Sequence, residues 1–288
     1  MNIGFIGAGK VGCSLGKLLS TRGMKVSGYY DRDTKFAEEA AQFTNSKAFA
    51  EPSALISESD VLFITVPDGL ITTVYEGIRT LPIEGKYICH CSGSISSRDA
   101  FPDIGSTGAY EYSVHPLFAV SDRFETYPEL ADAFFTLEGD PSHIDDMADL
   151  LKQCGLRFQI IDPSSKTRYH LAAVYASNLT LALISNGISL LQECGFTADD
   201  ALAALSPLVS GNIAHALANG PAKALTGPVE RGDITTLGKH LSVTPDEDDR
   251  QLYTLLSAKL LPLAKAKNPD RDYSDLEHYL NEMKGKRK

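Results

Sequence analysis

The chain has 288 residues, 43% of them hydrophobic, and 27 Lys+Arg against 37 Asp+Glu give a net charge of -10. That length suits two domains with sizeable cores, and the composition excludes a disordered chain. The acidic balance argues against nucleic acid and membrane surfaces as partners, so an anionic ligand needs a local cationic site.

Met1-Asn2 runs straight into the strand-like IGFIG with no basic stretch before it, which predicts no signal peptide. Apolar runs follow at Ile3–Ile6, Lys25–Tyr30, Val61–Val66 and Tyr87–Cys91, each trailed by a turn and a helical pattern. That alternation predicts a parallel sheet with helices on both faces. Further strands are expected at Tyr110–Val114, Ala133–Leu137 and Arg157–Ile161, with a helix over His143–Cys154 between the last two. From Ser164 only helical periods remain, broken at Gly195, Pro207, Gly220-Pro221, Gly227-Pro228 and Pro245. The fold class expected is α/β: a doubly wound Rossmann domain over residues 1–162, then an all-helical domain over 163–288. Leu171 to Leu191 reads as a buried core helix, because Asn178, Ser185, Asn186 and Ser189 interrupt it too often for a membrane span.

Five cysteines, an odd number without framework spacing, point to a reducing compartment and a cytoplasmic protein. Cys89 and Cys91 alternate along a strand, so no metal pair and no metal site is expected. Cys13, Cys154 and Cys194 read as small buried residues. The closing KGKRK reads as a frayed, solvated tail.

Residues 4–12 read GFIGAGKVG. Gly7-Ala8-Gly9-Lys10-Val11-Gly12 is a G-x-G-x-x-G that follows the first strand and opens a helix from Val11 to about Thr21. In that context Gly7 makes the tight turn, Gly9 lets a pyrophosphate approach the backbone, and Gly12 allows close helix–strand packing. Asp31 ends the second strand, where an acidic residue meets the ribose of NAD. Arg32, with Thr34 and Lys35 beside it, suits the 2′-phosphate of NADP; these groups outnumber the single carboxylate and favour NADP, with NAD left open. Val66-Pro67 and Ser92-Gly93 follow later strand ends, where a nicotinamide ribose would lie.

A nucleotide domain followed by a helical one suggests a substrate site between them. The helix SKTRYHLAAVYASN starts where that site would be. Lys166, His170, Ala173 and Ser177 fall on one stripe, with Asn178 on its flank. Cations in a first turn oppose the helix dipole, which argues for a task beyond structure. Reduction of a carbonyl puts negative charge on oxygen, and Lys166 or His170 can protonate or stabilise it while Ser177 and Asn178 hold the substrate.

GAGKVG together with SVHPLF (113–118), YHLAAVYASN (169–178) and LTGPVERGDITTLGKHL (225–241) resembles bacterial proteins with a Rossmann-like domain followed by domain of unknown function 2520. These are related to the 6-phosphogluconate, 3-hydroxyisobutyrate, prephenate and ketopantoate dehydrogenase and reductase families. The resemblance implies a helical C-terminal domain like that of 6-phosphogluconate dehydrogenase. It also implies possible service as an alternative ketopantoate reductase in pantothenate biosynthesis. In ketopantoate reductases the corresponding helix carries a lysine with asparagines at i+4 and i+8; here those positions hold His170, Val174 and Asn178, and Lys166 one turn earlier replaces the amine. SVHPLF resembles the histidine-proline segment of prephenate dehydrogenases and makes His115 a second acid/base candidate. Arg231 suits a substrate carboxylate. Asp233 caps the helix that follows it, with His240 on the same face.

The expected function is reduction of a small 2-keto acid by NAD(P)H, with 2-dehydropantoate leading. An imine reductase of the pyrroline-carboxylate kind and a non-catalytic NAD(P)-binding sensor are the alternatives. The helical domain predicts a homodimer.

Overall fold

In the computed structural model, which describes residues 1–285, the N-terminal part is an eight-stranded sheet in the order β3-β2-β1-β4-β5-β6-β7-β8. The strands are β1 (Asn2–Ile6), β2 (Lys25–Tyr30), β3 (Lys47–Ala48), β4 (Val61–Ile64), β5 (Tyr87–His90), β6 (Tyr110–Pro116), β7 (Phe134–Gly139) and β8 (Arg157–Ile160). The expected strands are all present within a few residues; the two-residue β3 is an addition, too short to carry a pattern. β1 to β6 pair in parallel. Their runs are apolar on both sides because both faces are covered. Phe5 stacks between Tyr29 and Phe63 on one face, while Ile6, Leu62 and Ile64 pack on the other.

The sheet is mixed, where the alternation of elements predicts a parallel one. β7 runs antiparallel to β6, with Ser113 opposite Glu138 and His115 opposite Thr136. The chain leaving Pro116 returns through a loop and a short helix (Tyr127–Leu130) at the same end of the sheet, so no crossover reverses it. β8 then pairs in parallel with β7 through the helix Ile144–Gln153.

No strand follows Ile160 among the described residues. By compactness the chain divides into Met1–Thr180 and Leu181–Lys288. The second unit has its own core of Val229, Leu237, Leu261, Tyr273, Leu276 and Leu280. Pro207 does not break a helix: Ala198–Asn219 is continuous through it. Proline removes one backbone donor at about 3 kcal/mol, which a helix of this length absorbs. The expected buried helix over 171–191 is also corrected. It is two helices, Lys166–Ala176 and Asn178–Glu193, separated at Ser177. Asn178–Glu193 has no buried residue, and Leu181, Leu208 and Leu217 stand 66%, 66% and 84% exposed. Two stretches, 163–193 and 198–219, are long and apolar enough to cross a bilayer by length and composition alone. Cys194 is exposed rather than buried, at the loop that ends Asn178–Glu193. Of the KGKRK run, residues 286–288 lie outside the described residues.

Candidate functional site

The glycine-rich loop forms as its spacing requires. Gly7 has φ +104°, and a Cβ there would meet the Thr65 carbonyl at 2.7 Å. A Cβ at Gly12 would meet the Gly7 carbonyl oxygen at 2.4 Å. Protein packing therefore demands both. At Gly9 a Cβ would find only Thr65 O, at 3.9 Å, so packing leaves that position free and a ligand's approach explains the missing side chain. Helix α1 (Lys10–Thr21) starts at Gly9 with no side-chain cap and no acidic residue in its first turn. Its first N–H groups are left for an anion. Lys10 and Val11 form that first turn, with Lys10 exposed.

A cleft of about 470 Å³ lies at the carboxyl ends of β1, β2 and β4, bordered by Gly7, Gly9, Asp31, Arg32, Val66 and Pro67 among others. Asp31 does not face it freely: its carboxylate accepts from Ala8 N at 2.7 Å and Asp33 N at 3.0 Å. Turned to the loop in this way, it leaves Arg32 exposed at the border of the cleft. The residues fit a phosphorylated dinucleotide.

Ser92 and Gly93 lie at the end of β5. Ser92 and Ser94 hydroxyls both donate to Asp68, at 2.7 and 2.9 Å. Gly93 lies between two histidines: a Cβ there would sit 2.8 Å from His115 Nε2 and 3.1 Å from His170 Cδ2. His115 Nδ1 bonds the Tyr169 hydroxyl at 2.7 Å. Burial, with the Lys166 charge, pulls His115 down to about 4, so its ring is neutral at neutral pH.

Lys166 is the largest departure from expectation. It is a first-turn lysine, yet only 2% exposed. Its ammonium donates to Ser113 Oγ and lies 3.8 Å from Glu138. Glu138 is fully buried and also accepts from Ser97 N and Ser97 Oγ. Burial pushes Lys166 down to about 8, against the Glu138 charge that holds it up. Burial pushes the Glu138 carboxyl above the usual range, opposed by the Ser97 bonds and by Lys166. His90, buried at the end of β5, accepts from Ser92 N at 3.0 Å, and burial holds it neutral at about 3.

The structure thus brings together Lys166, His170, His115 and Gly93. Glu138, Ser113, Tyr169 and Asp68 belong to the same group; Ser113 and Tyr169 open two of the segments quoted above, but none of the four stands out as a candidate by residue type. The stripe does not continue to its far end. Ser177 and Asn178 are exposed; Ser177 Oγ lies 2.8 Å from Ala173 O and 3.0 Å from Asn178 Oδ1. No hydrogen bond among the described residues ties either to the lysine cluster. In the second unit, Asp233 caps Ile234–Ser242 through Thr236 N, as expected. Arg231 is exposed at the end of the short helix Pro228–Arg231, and His240 bonds the Tyr253 hydroxyl at 2.7 Å.

Comparison with known proteins agrees with this geometry. Residues 2–89 match the family described as NADP oxidoreductase, coenzyme F420-dependent. Residues 133–260 match domain of unknown function 2520. No curated protein sequence matches the chain significantly. Among solved structures, protein TM1727 from Thermotoga maritima is similar at 25% identity and TM-score 0.73, covering 92% of this chain and 99% of that one. A putative NADP oxidoreductase, BF3122 from Bacteroides fragilis, matches at 23% identity and TM-score 0.65 over 91% and 98%. A reductive aminase from Aspergillus terreus, solved with NADPH and ethyl-5-oxohexanoate, shares the fold at 14% identity and TM-score 0.60 over 99% and 91%. The chain thus joins a region similar to the NADP oxidoreductase family, over residues 2–89, to a region matching domain of unknown function 2520, over residues 133–260, on a fold shared with NADP-dependent reductases.

Proposed function

We propose that the protein is an NADPH-dependent reductase of a small 2-keto acid, with 2-dehydropantoate as the leading substrate. One observation carries the reading: a buried ammonium, Lys166, stands with two histidines at the strand ends where the nicotinamide half of a dinucleotide would lie. Bound NADPH supplies the hydride. The chain's residues do the rest. Gly7 to Gly12 and the start of α1 hold the pyrophosphate, Arg32 meets the 2′-phosphate, and Val66, Pro67, Ser92 and Gly93 border the nicotinamide side. Lys166 stabilises the oxygen that becomes negative and protonates it; an acid at about 8 is well matched to neutral pH. His115, neutral and bonded through Nδ1 to Tyr169, keeps its Nε2 for the substrate side, beside Gly93. His170 closes the other side of Gly93. Asn178 and Ser177 remain candidates for substrate contact.

A cationic site favours a ketone over an iminium that arrives already charged. The imine reading is supported by Asp68, whose carboxylate beside Ser92 and Ser94 suits a cation. We further infer a homodimer in the cytoplasm, in which a second copy covers the apolar faces of Asn178–Glu193 and Ala198–Asn219.

The test is loss of reduced-nicotinamide absorbance, with NADPH and NADH in parallel, over 2-dehydropantoate, other branched 2-keto acids and cyclic imines. Turnover of a 2-keto acid with NADPH that collapses in Lys166→Met supports the reading. Turnover of imines alone moves it to the second substrate class. Tight NADPH binding with no turnover of any member removes the reason for naming a keto acid.

A further inference from the structure

The loop between β6 and β7 takes no part in the proposed chemistry, yet it reaches the nucleotide end of the fold. Asp122 organises a tight turn there, its carboxylate accepting from Phe124 N and Glu125 N. The fully buried Ser14 of α1 fixes that turn, its hydroxyl 3.2 Å from Asp122 O and 3.4 Å from Arg123 O. Arg123 projects from it and donates from all three of its guanidinium nitrogens. Nε donates to Ala8 O at 3.1 Å, Nη2 to Phe36 O at 3.1 Å, and Nη1 to Glu39 at 2.6 Å. The same group stacks over Phe36 at 4.4 Å and Phe124 at 4.7 Å.

These contacts converge on the cofactor cleft. Ala8 belongs to the glycine-rich loop; its N–H is held by Asp31 and its carbonyl by Arg123, so the two peptide groups flanking its Cα are both fixed. Phe36 borders the cleft. Phe36 and Glu39 lie on α2 (Thr34–Thr44), the helix that follows the Arg32 turn. Glu39 is shared: Lys35, 77% exposed and one turn earlier, forms a long ion pair with its other carboxylate oxygen at 4.0 Å. Arg123, at 2.6 Å and only 16% exposed, holds the carboxylate more tightly.

We propose that Arg123 is a positioning residue for the NADP site: it locks the phosphate loop to the start of α2 and, by holding Glu39 closely, keeps that carboxylate's hold on Lys35 long and weak. Lys35 then stays available, with Arg32, for the 2′-phosphate. A planar fork with three donors suits three acceptors at fixed angles, and a lysine cannot replace it. The inference rests on the NADP reading of the turn 31–35 and not on the substrate, so its test measures cofactor binding alone.

Calorimetric titration of the full chain with NADPH and with NADH decides it. In Arg123→Met the NADPH Kd rises about tenfold or more, the worth of a charge-assisted hydrogen bond. NADH shares the pyrophosphate but lacks the 2′-phosphate, so it weakens through the loop alone and by several-fold less than NADPH does. Adding Glu39→Gln to Arg123→Met removes the carboxylate that would capture Lys35 and recovers part of the NADPH affinity. Arg123→Lys keeps the charge but not the fork, falls between wild type and Arg123→Met, and serves as the test where Arg123→Met does not fold. A purely structural arginine would lower the melting temperature and affect both cofactors alike. Equal weakening of NADPH and NADH, or unchanged NADPH affinity in the folded variants, overturns the proposal. A wild-type chain that binds NADPH only at millimolar concentration overturns it together with the cofactor reading.

Discussion

Replacing Glu138 by Gln tests whether the buried lysine is an acid or a structural strut. Glu138 and Lys166 face each other at 3.8 Å with 0% and 2% of their side chains exposed. At an effective dielectric constant of about 20 their attraction is about 4 kcal/mol. Even half of that, lost when the carboxylate becomes an amide, moves the titration of Lys166 by more than one pH unit. The direction is fixed: Glu138 holds the ammonium up against burial, so its loss lets Lys166 deprotonate at lower pH. The amide keeps an oxygen able to accept from Ser97 N, which limits local disruption.

The assay is the pH dependence of kcat at saturating NADPH with a turned-over keto acid. Activity needs the protonated lysine, so in the wild type it falls as pH rises through about 8. In Glu138→Gln that limb moves down by at least one unit, and the rate at pH 7 drops by about twofold for a one-unit shift and about fourfold for 1.5 units, the loss growing to about tenfold or more above pH 8. Glu138→Asp keeps the charge and returns the limb toward its original place. NADPH affinity is unchanged in both. A Glu138→Gln enzyme whose rate falls equally at every pH, with its limb unmoved, would refute the reasoning and leave Glu138 a structural residue.

The same site yields further outcomes. Gly93→Ala forces a Cβ to within 2.8 Å of His115 Nε2; turnover falls by about tenfold or more while the fold survives, since the histidines can shift by a few tenths of an ångström. Native turnover in a folded Gly93→Ala would remove the histidine pair from the site. Tyr169→Phe leaves His115 Nδ1 without its partner at 2.7 Å, and nitrogen NMR of the labelled imidazole shows a mixture of tautomers where the wild type shows one. Lys166 has a folded value of about 8, below its ordinary 10.5, so the unfolded chain binds more protons between those values. Stability therefore rises with pH across that window by up to about 3 kcal/mol, and denaturant melts of Lys166→Met lose that slope. Light scattering at micromolar concentration gives the mass of a dimer, and Leu208→Glu with Leu217→Glu shifts it to a monomer; a monomeric wild type refutes the assembly.

The nucleotide half was legible because each of its signals is local. Gly7, Gly9 and Gly12 act within one turn, and Asp31-Arg32 ends the neighbouring strand. The lysine cluster was legible only in part, because its partners meet through sheet register. Ser113 and Glu138 are 25 positions apart and become neighbours only because β7 reverses direction beside β6. A parallel sheet, the reading that the alternation of elements invites, gives Glu138 no reason to lie near Lys166. The helix itself was read correctly at its start and too far at its end. A continuous 3.6-residue period carries the stripe to Ser177, whereas Ser177 bends the chain and turns its own hydroxyl back to Ala173. Nor does periodicity distinguish an apolar helix packed inside its own chain from one left exposed by it, which is why Asn178–Glu193 was assigned to a core.

The lysine's placement is costly in three ways. A cation at the first position of Lys166–Ala176 opposes the helix dipole. Burial lowers its proton affinity. Its carboxylate partner also had to be desolvated, and a well-packed apolar pair of the same volume is often as stable or more so. Fold stability alone therefore does not account for Lys166 and Glu138. Strand pairing, by contrast, needs neither charge: the β6–β7 ladder is backbone-bonded and would close around Leu or Met. What the pair does provide is a single ammonium, with Ser113 and Glu138 to orient it, titrating near neutral pH beside two histidines at the strand ends. Perturbed groups gathered in that way mark chemistry more often than architecture. A Lys166→Met/Glu138→Gln double variant separates the two: a stability equal to or above the wild type's with turnover abolished is the outcome expected, and a double variant that keeps turnover would return the pair to architecture.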